Sequence, residues 1–326
     1  MSVASFRLPT PHEIRDLALD LVTAFEAGSE VDFRRVDQKL WALALDWLID
    51  QSMLDAARWV TPRLAAAFAK APSHTQHAGY FQTVADLLSR LPPPSEDTSF
   101  AMFCDDPGRE VQVIPRANGS AALLAFCGRV RKLGMSINLV HRWFGQLGVH
   151  VIYLRDYQGK NYDNGIGSLA PDFVGTLRSL QRIVADLGTQ RVVCYGNSLG
   201  GYGALRYALE LQAEAVLAFS SPTNLDPNFG TSLVLELLSK GIITAGLDLR
   251  PLYENAGYAS RAHLVYGELH ASDRAQAENF SGLPTVSLDM VRGWESHAVF
   301  IHTLLSGRYE HLIKWLVDPD RAKSAP

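Results

Sequence analysis

The sequence predicts an α/β protein, a mostly parallel β-sheet flanked by helices and preceded by a small all-helical N-terminal region. Three observations carry that prediction. Up to residue 92, apolar residues recur at helical spacing. The stretch Leu91–Asp97, Leu-Pro-Pro-Pro-Ser-Glu-Asp, then packs three prolines among polar residues and cannot continue a helix. Beyond it, short β-rich runs alternate with amphipathic helical patterns, the rhythm of crossover units in a sheet covered on both faces. The expected organisation is a helical region over 1–92, a Pro-rich linker over 93–97 and an α/β domain over 98–326.

Taken in order, helices are expected at about 11–27 (Ile14, Leu17, Leu19, Leu21, Val22, Phe25), 34–50, 53–70 and 74–91. Gly28 is a helix stop, and the break at Gln51–Ser52 suggests an antiparallel hairpin. No repeated consensus of about 34 residues is present, so no repeat array is expected. Phe100–Cys104, Glu110–Ile114 and Ala121–Cys127 read as short strands joined by turns, as in consecutive hairpins. Helix 136–147, strand 149–154, helix 171–187, strand 191–195, helix 199–212 and strand 214–219 follow. An irregular stretch, Ser220–Tyr258, interrupts the alternation where an insertion or lid would sit. Strand 262–267, helix 273–280, strand 284–288 and a helix at 297–316 close the pattern.

Composition excludes several function classes. Apolar residues make up 47% and charged residues 20%, enough for a substantial core and too apolar for a disordered chain. The formal charge of −4 offers no basic footprint for nucleic acid or an anionic membrane. The longest apolar runs fall far short of the ~20 residues that span a bilayer. Met1–Pro11 shows no signal-peptide pattern. Three widely spaced cysteines, Cys104, Cys127 and Cys194, each sit in or at the end of a strand-like run, which suggests reduced thiols and a cytoplasmic setting. They have no zinc spacing.

The densest chemical signal is Cys194-Tyr195-Gly196-Asn197-Ser198-Leu199-Gly200-Gly201-Tyr202-Gly203-Ala204. Gly196–Gly200 satisfies G-x-S-x-G and lies between an apolar strand and a helical stretch. That is the strand-to-helix turn on which a nucleophilic serine is exposed. Glycine is needed on either side because side chains there would meet the adjoining backbone.

On these residues the sequence resembles the α/β-hydrolase superfamily over roughly 98–318, leaving the helical region outside. The resemblance implies a triad in the chain order nucleophile, acid, histidine. Ser198 is then the nucleophile. Asp273, after the strand ending Leu264-Val265-Tyr266-Gly267, is the preferred acid, with Glu268 and Asp226 as competitors and a helix N-cap as its other reading. His297, in Gly293-Trp294-Glu295-Ser296-His297, is the preferred base over His302 and His311; His270 would require an unusual chain order. Two backbone amides would bind the oxyanion, those of Leu199 and of Arg129 in Phe126-Cys127-Gly128-Arg129, where Cys127 stands in place of the histidine many relatives carry. The implied activity is ester or related acyl-bond hydrolysis through an acyl-enzyme, on a small-molecule or acylated substrate, with neither metal nor organic cofactor. Acyl transfer by the same triad is an alternative, as is a non-enzymatic binding or scaffolding protein acting through the helical region, which could also form a homo-oligomer or recruit a partner.

Two further segments lie near this chemistry. Arg155–Tyr162 follows a strand on the side where α/β sheets bind ligands, so Asp156 and Tyr157 are candidate substrate contacts; an ordinary solvated loop is the other reading. Gly165–Ala170 matches G-x-G-x-x-A but starts some ten residues after the strand, too late for a dinucleotide turn.

Overall fold

A computed structural model describes residues 9–69, 75–241, 246–256 and 260–318. They fall into two compact units, one within Met1–Pro92 with Ser136–Leu139, the other within Pro93–Met135 and Val140–Pro326.

The first unit contains helices α1 (Pro11–Ala27), α2 (Gln38–Asp50), α3 (Leu54–Phe68) and α4 (Thr75–Ser89). Thr10 and Glu13 form a capping box at the start of α1, and Gly28 ends it at φ +61°. The helix expected from residue 34 starts later, because Asp37 accepts from the Lys39 amide and caps α2 behind a 3₁₀ turn at Phe33–Arg35. Trp41, Ala44, Leu45 and Leu48 of α2 and Val60 and Leu64 of α3 are fully buried, as the apolar spacing requires. A cleft of about 370 Å³ lies between α1 and the turn that follows it.

The second unit is built on a seven-stranded sheet. Its strands are β1 (Val111–Ile114), β2 (Ala122–Phe126), β3 (His150–Leu154), β4 (Val192–Asn197), β5 (Ala215–Phe219), β6 (Arg261–Gly267) and β7 (Val286–Val291), in the order β1-β3-β2-β4-β5-β6-β7. Only β1 runs antiparallel, paired with β3; every other neighbouring pair is parallel. Strands β2 to β5 are buried along their whole length, the mark of a sheet covered on both faces. The covering helices are α5 (Thr98–Ala101), α6 (Ile137–Phe144), α7 (Phe173–Asp186), α8 (Leu199–Glu210), α9 (Ser232–Ser239), α10 (Arg250–Glu254), α11 (Ala271–Glu278), α12 (Val299–Leu305) and α13 (Arg308–Val317).

Several expectations need correction. Phe100–Cys104 is not a strand: Asp97 caps α5 by accepting from the Phe100 amide, Phe100 is buried as part of that turn, and Cys104 is exposed in a loop. The early strands do not form consecutive hairpins, since β2 never pairs with β1. The final helix is two, α12 and α13, separated by Gly307 at φ +76°. Ser220–Tyr258 holds α9 and α10, whose Val234, Leu237 and Tyr253 pack into the core under the sheet, while Leu235 is exposed. Ile242 and Ile243 lie outside the described residues.

Strand order decides where a site can form. From β2 the chain moves first to one side, to β3, and then to the other, to β4. The carboxyl ends of β2 and β4 are therefore neighbours whose following loops diverge, which opens a crevice at the switch point.

Candidate active site

Ser198 sits at that crevice, between β4 and α8, with φ +55° and ψ −130°. A non-glycine residue in this region is strained and persists only where its surroundings impose it. Close packing does so here. A Cβ on Gly196 would collide with the Gly200 carbonyl, and one on Gly200 with the Phe126 carbonyl of β2. The glycines of G-x-S-x-G thus let α8 start hard against two strands, with Ser198 lifted above them. The Ser198 amide donates to the Phe219 carbonyl at the end of β5, 2.8 Å away, and fixes the turn.

The structure brings Ser198, His297 and Asp273 together. Ser198 Oγ lies 2.9 Å from His297 Nε2, and His297 Nδ1 lies 2.9 Å from both Asp273 oxygens. Asp273 is 3% exposed, so its carboxylate must be satisfied within the protein. It is not the helix cap: His270 holds that place in α11, and Asp273 is the third helical residue, turned inward. His297 lies on the loop between β7 and α12. The Ser220 hydroxyl, at the end of β5, donates to the His297 carbonyl at 2.6 Å and anchors that loop from below. Sequence reasoning missed Ser220, although its position directly after a strand, at φ +44°, is the kind of place a loop is tied.

The competing groups are engaged elsewhere. Glu268 accepts from the Gly293 amide at 2.7 Å and steadies the turn before His297. Asp226 caps a 3₁₀ turn by accepting from Asn228. His302 faces Trp294 from within α12, with ring centroids 5.0 Å apart, and His311 is exposed on α13. His270 is different, because its Nδ1 lies 3.1 Å from Asp273 Oδ1, on the same carboxylate that His297 uses.

On the other side of Ser198, the loop after β2 turns back at Gly128, whose amide donates to the Lys132 carbonyl at 2.8 Å. Leu199 and Arg129 both line a cavity of about 100 Å³, with Cys127, Gly128, Asp156, Gly159, Asn161 and Tyr162. The Arg129 N–H donates to no protein acceptor among the described residues. Leu199 is also the first residue of α8, where the helix dipole favours negative charge. Cys127 is buried, and burial pushes its thiol up to about 12, so it stays protonated and is a poor nucleophile.

Of the two expected substrate contacts, Asp156 lines this cavity. Tyr157 does not: its hydroxyl donates to the Pro107 carbonyl and its ring stacks under the Arg131 guanidinium, 4.3 Å from the centroid. Asp156 accepts from the Tyr162 amide at 3.1 Å, and burial pushes its carboxyl up while the amides of the same turn pull it down. Arg155 is not a surface contact either. It is fully buried, donating to the carbonyls of Arg109 (2.9 Å) and Arg131 (3.4 Å), to Gln112 (3.1 Å) and to Asp105. The Tyr162 hydroxyl reaches the carbonyls of Cys127 (2.8 Å) and Leu154 (2.9 Å), tying the ends of β2 and β3 together. Arg155 and Tyr162 are the framework that sequence reading could not separate from the polar loop around them.

No protein-family model matches the chain, and no curated protein matches it. Among solved structures, MenH from S. aureus is similar at 14% identity and a TM-score of 0.47, covering 65% of this chain and 99% of that one. The carboxylesterase EstE1 from a metagenomic library is similar at 16% identity and TM-score 0.43, covering 79% and 99%. The capsule O-acetyltransferase of Neisseria meningitidis serogroup A is similar at 11% and 0.45, covering 64% and 92%. Likenesses this distant say nothing of substrate. By its own sheet order, its antiparallel first strand and its serine on the turn after β4, the chain has the α/β-hydrolase fold.

Proposed function

We propose that this chain is a serine hydrolase of the α/β-hydrolase superfamily that cleaves an ester or related acyl bond. The observation that carries the reading is the unbroken relay from Ser198 Oγ through the His297 imidazole to the buried Asp273 carboxylate, each step at 2.9 Å. Such spacing is hydrogen-bond reach for a nucleophile and its base, with a third group orienting the base. Asp273 holds the His297 proton on Nδ1 and leaves Nε2 as the acceptor. As Ser198 Oγ attacks the acyl carbon, its proton passes to Nε2, the carbonyl electrons move onto oxygen, and Asp273 stabilises the imidazolium. The amides of Leu199 and Arg129 are the donors for that oxygen. His297 then protonates the leaving group, and a water activated by the same imidazole returns the enzyme to its starting state.

The cavity of about 100 Å³ beside Leu199 and Arg129 is where this reading places the oxygen of the acyl group. Within this reading the residues of 98–326 form the catalytic domain, 93–97 the linker and 1–92 a separate helical unit. The test is active-site labelling. A fluorophosphonate probe is expected to label the wild-type protein and to leave Ser198→Ala unlabelled. Labelling that survives in Ser198→Ala rejects the nucleophile.

A further inference from the structure

We propose that His270, Asp273 and His297 form a site for a divalent transition-metal ion of the zinc type, and that the ion turns the hydrolase off. The relay described above needs one imidazole on Asp273, yet two converge there. His297 Nδ1 is 2.9 Å from Asp273 Oδ1, and His270 Nδ1 is 3.1 Å from the same oxygen. Donor atoms bound at ~2.0–2.1 Å to one tetrahedral zinc ion stand about 3.3 Å apart. Both nitrogen–oxygen pairs are already close to that separation.

One donor atom from each of the three residues lies within 4.8 Å of the others, so an ion asks that the two imidazoles close on it and that His270 Nδ1 give up the helix-cap bond it accepts from the Asp273 amide at 3.3 Å. Both can do so: the side chains of His270 and His297 are 31% and 41% exposed, whereas that of Asp273 is 3% exposed and fixed. Exposure also gives solvent a route to the fourth coordination position. Two imidazoles and one carboxylate favour zinc over magnesium, which prefers oxygen donors and its own water shell.

Binding would silence His297 through its tautomer. In the relay Nδ1 carries the proton and Nε2 the free electron pair. When the ion takes the Nδ1 electron pair, the Nδ1–H bond is lost and one proton, exchanged through solvent, sits on Nε2. The imidazole stays neutral, but Nε2–H now donates to Ser198 Oγ and cannot accept its proton. That hydrogen bond would also orient the liganded ring, as second partners of metal-bound histidines do. The inhibitory effect rests on the hydrolase reading; the binding itself does not.

The experiment separates the two. Calorimetric titration of the Ser198→Ala protein with zinc chloride is expected to give one site per chain, with no binding of magnesium. His270→Asn, which keeps a good helix-capping side chain, is expected to weaken zinc at least tenfold, and His270→Gln serves beside it should one variant fold poorly. In the wild-type protein, zinc is expected to inhibit hydrolysis of a short p-nitrophenyl ester and EDTA to restore it. Each variant is compared with its own zinc-free rate, and loss of His270 should raise the inhibiting concentration at least tenfold. Zinc affinity unchanged by both His270 substitutions, or magnesium bound as well as zinc, overturns the site. Zinc binding that depends on His270 in a protein with no esterase activity would keep the site and reject the hydrolase. Ester hydrolysis without such binding would do the reverse.

Discussion

On the β2–β3 side of Ser198 the loops are clamped from within by the buried Arg155 guanidinium and the buried Tyr162 hydroxyl. On the β6–β7 side, by contrast, the acid is buried but the two imidazoles that meet it are partly open to solvent. The difference follows from the task proposed for each wall. Oxyanion donors act only if they are preorganised, because a donor that must reorient gives back what it contributes. The base must turn between nucleophile, leaving group and water, so its mobility is useful and its exposure is tolerated. The same openness is what lets a metal ion reach Asp273.

The largest effect should come from the open wall. His297→Ala is expected to lower kcat on a small ester by ~10⁶-fold while circular dichroism stays that of the wild type. Unchanged turnover would remove His297 from the chemistry.

Next comes the clamp. Arg155→Met removes a fully buried guanidinium, and with it the ion pair to the part-buried Asp105 and the hydrogen bond to the Arg131 carbonyl, a loss of ~3 kcal/mol. Urea unfolding measures it, and a loss under 1 kcal/mol would mean that the loop is held by other contacts.

Ser220→Ala cuts the tie beneath His297, a hydrogen bond worth about 1 kcal/mol, so kcat should fall by about fivefold with KM nearly constant. A rise in KM alone would place Ser220 on the substrate side instead.

Asp163, on the clamped side, has its carboxyl pushed up to about 6 by burial, with the Tyr202 hydroxyl at 3.1 Å pulling the other way. Its folded value lies above its unfolded one, so its stabilising contribution is complete below about pH 4 and is lost as pH rises through about 6. Asp163→Asn should therefore gain on the wild type between those values, read as urea midpoints at pH 4 and pH 7. A constant difference across that window would reject the assignment.

The smallest effect concerns thiols. Cys127 and Cys194 are buried and Cys104 is exposed, so a thiol reagent on the native protein should titrate one cysteine and leave esterase activity intact. Rapid modification of two or three would show that the clamped wall opens.

Much of the fold was legible because it is written in local periodicity. The helical spacing before Pro92, the alternation after it and the glycines around Ser198 are patterns of neighbours in sequence, and each corresponds to an observed element. Phe100–Cys104 misled because an apolar run of five is ambiguous between strand and turn, and the Asp97 cap decided it. The long last helix misled because Gly307 breaks it without interrupting the apolar pattern. In the site, Ser198 was readable from the steric demands of its glycines. Asp273 and His297 were readable only through chain order and the resemblance, because no local pattern joins residues 24 positions apart.

By itself the sequence determined most of the strands and helices, where a strained serine must sit and which groups could serve it, because these depend on spacing and side-chain chemistry along the chain. Tertiary structure alone decided that β2 pairs with β3 and β4 rather than with β1, that Glu268 and Asp226 are tied into turns, and that Arg155 is a pillar rather than a contact. It also decided that His270 shares Asp273 with His297. Such outcomes are set by which carbonyls and carboxylates burial leaves in need of a partner, and that need arises only once distant segments have packed together.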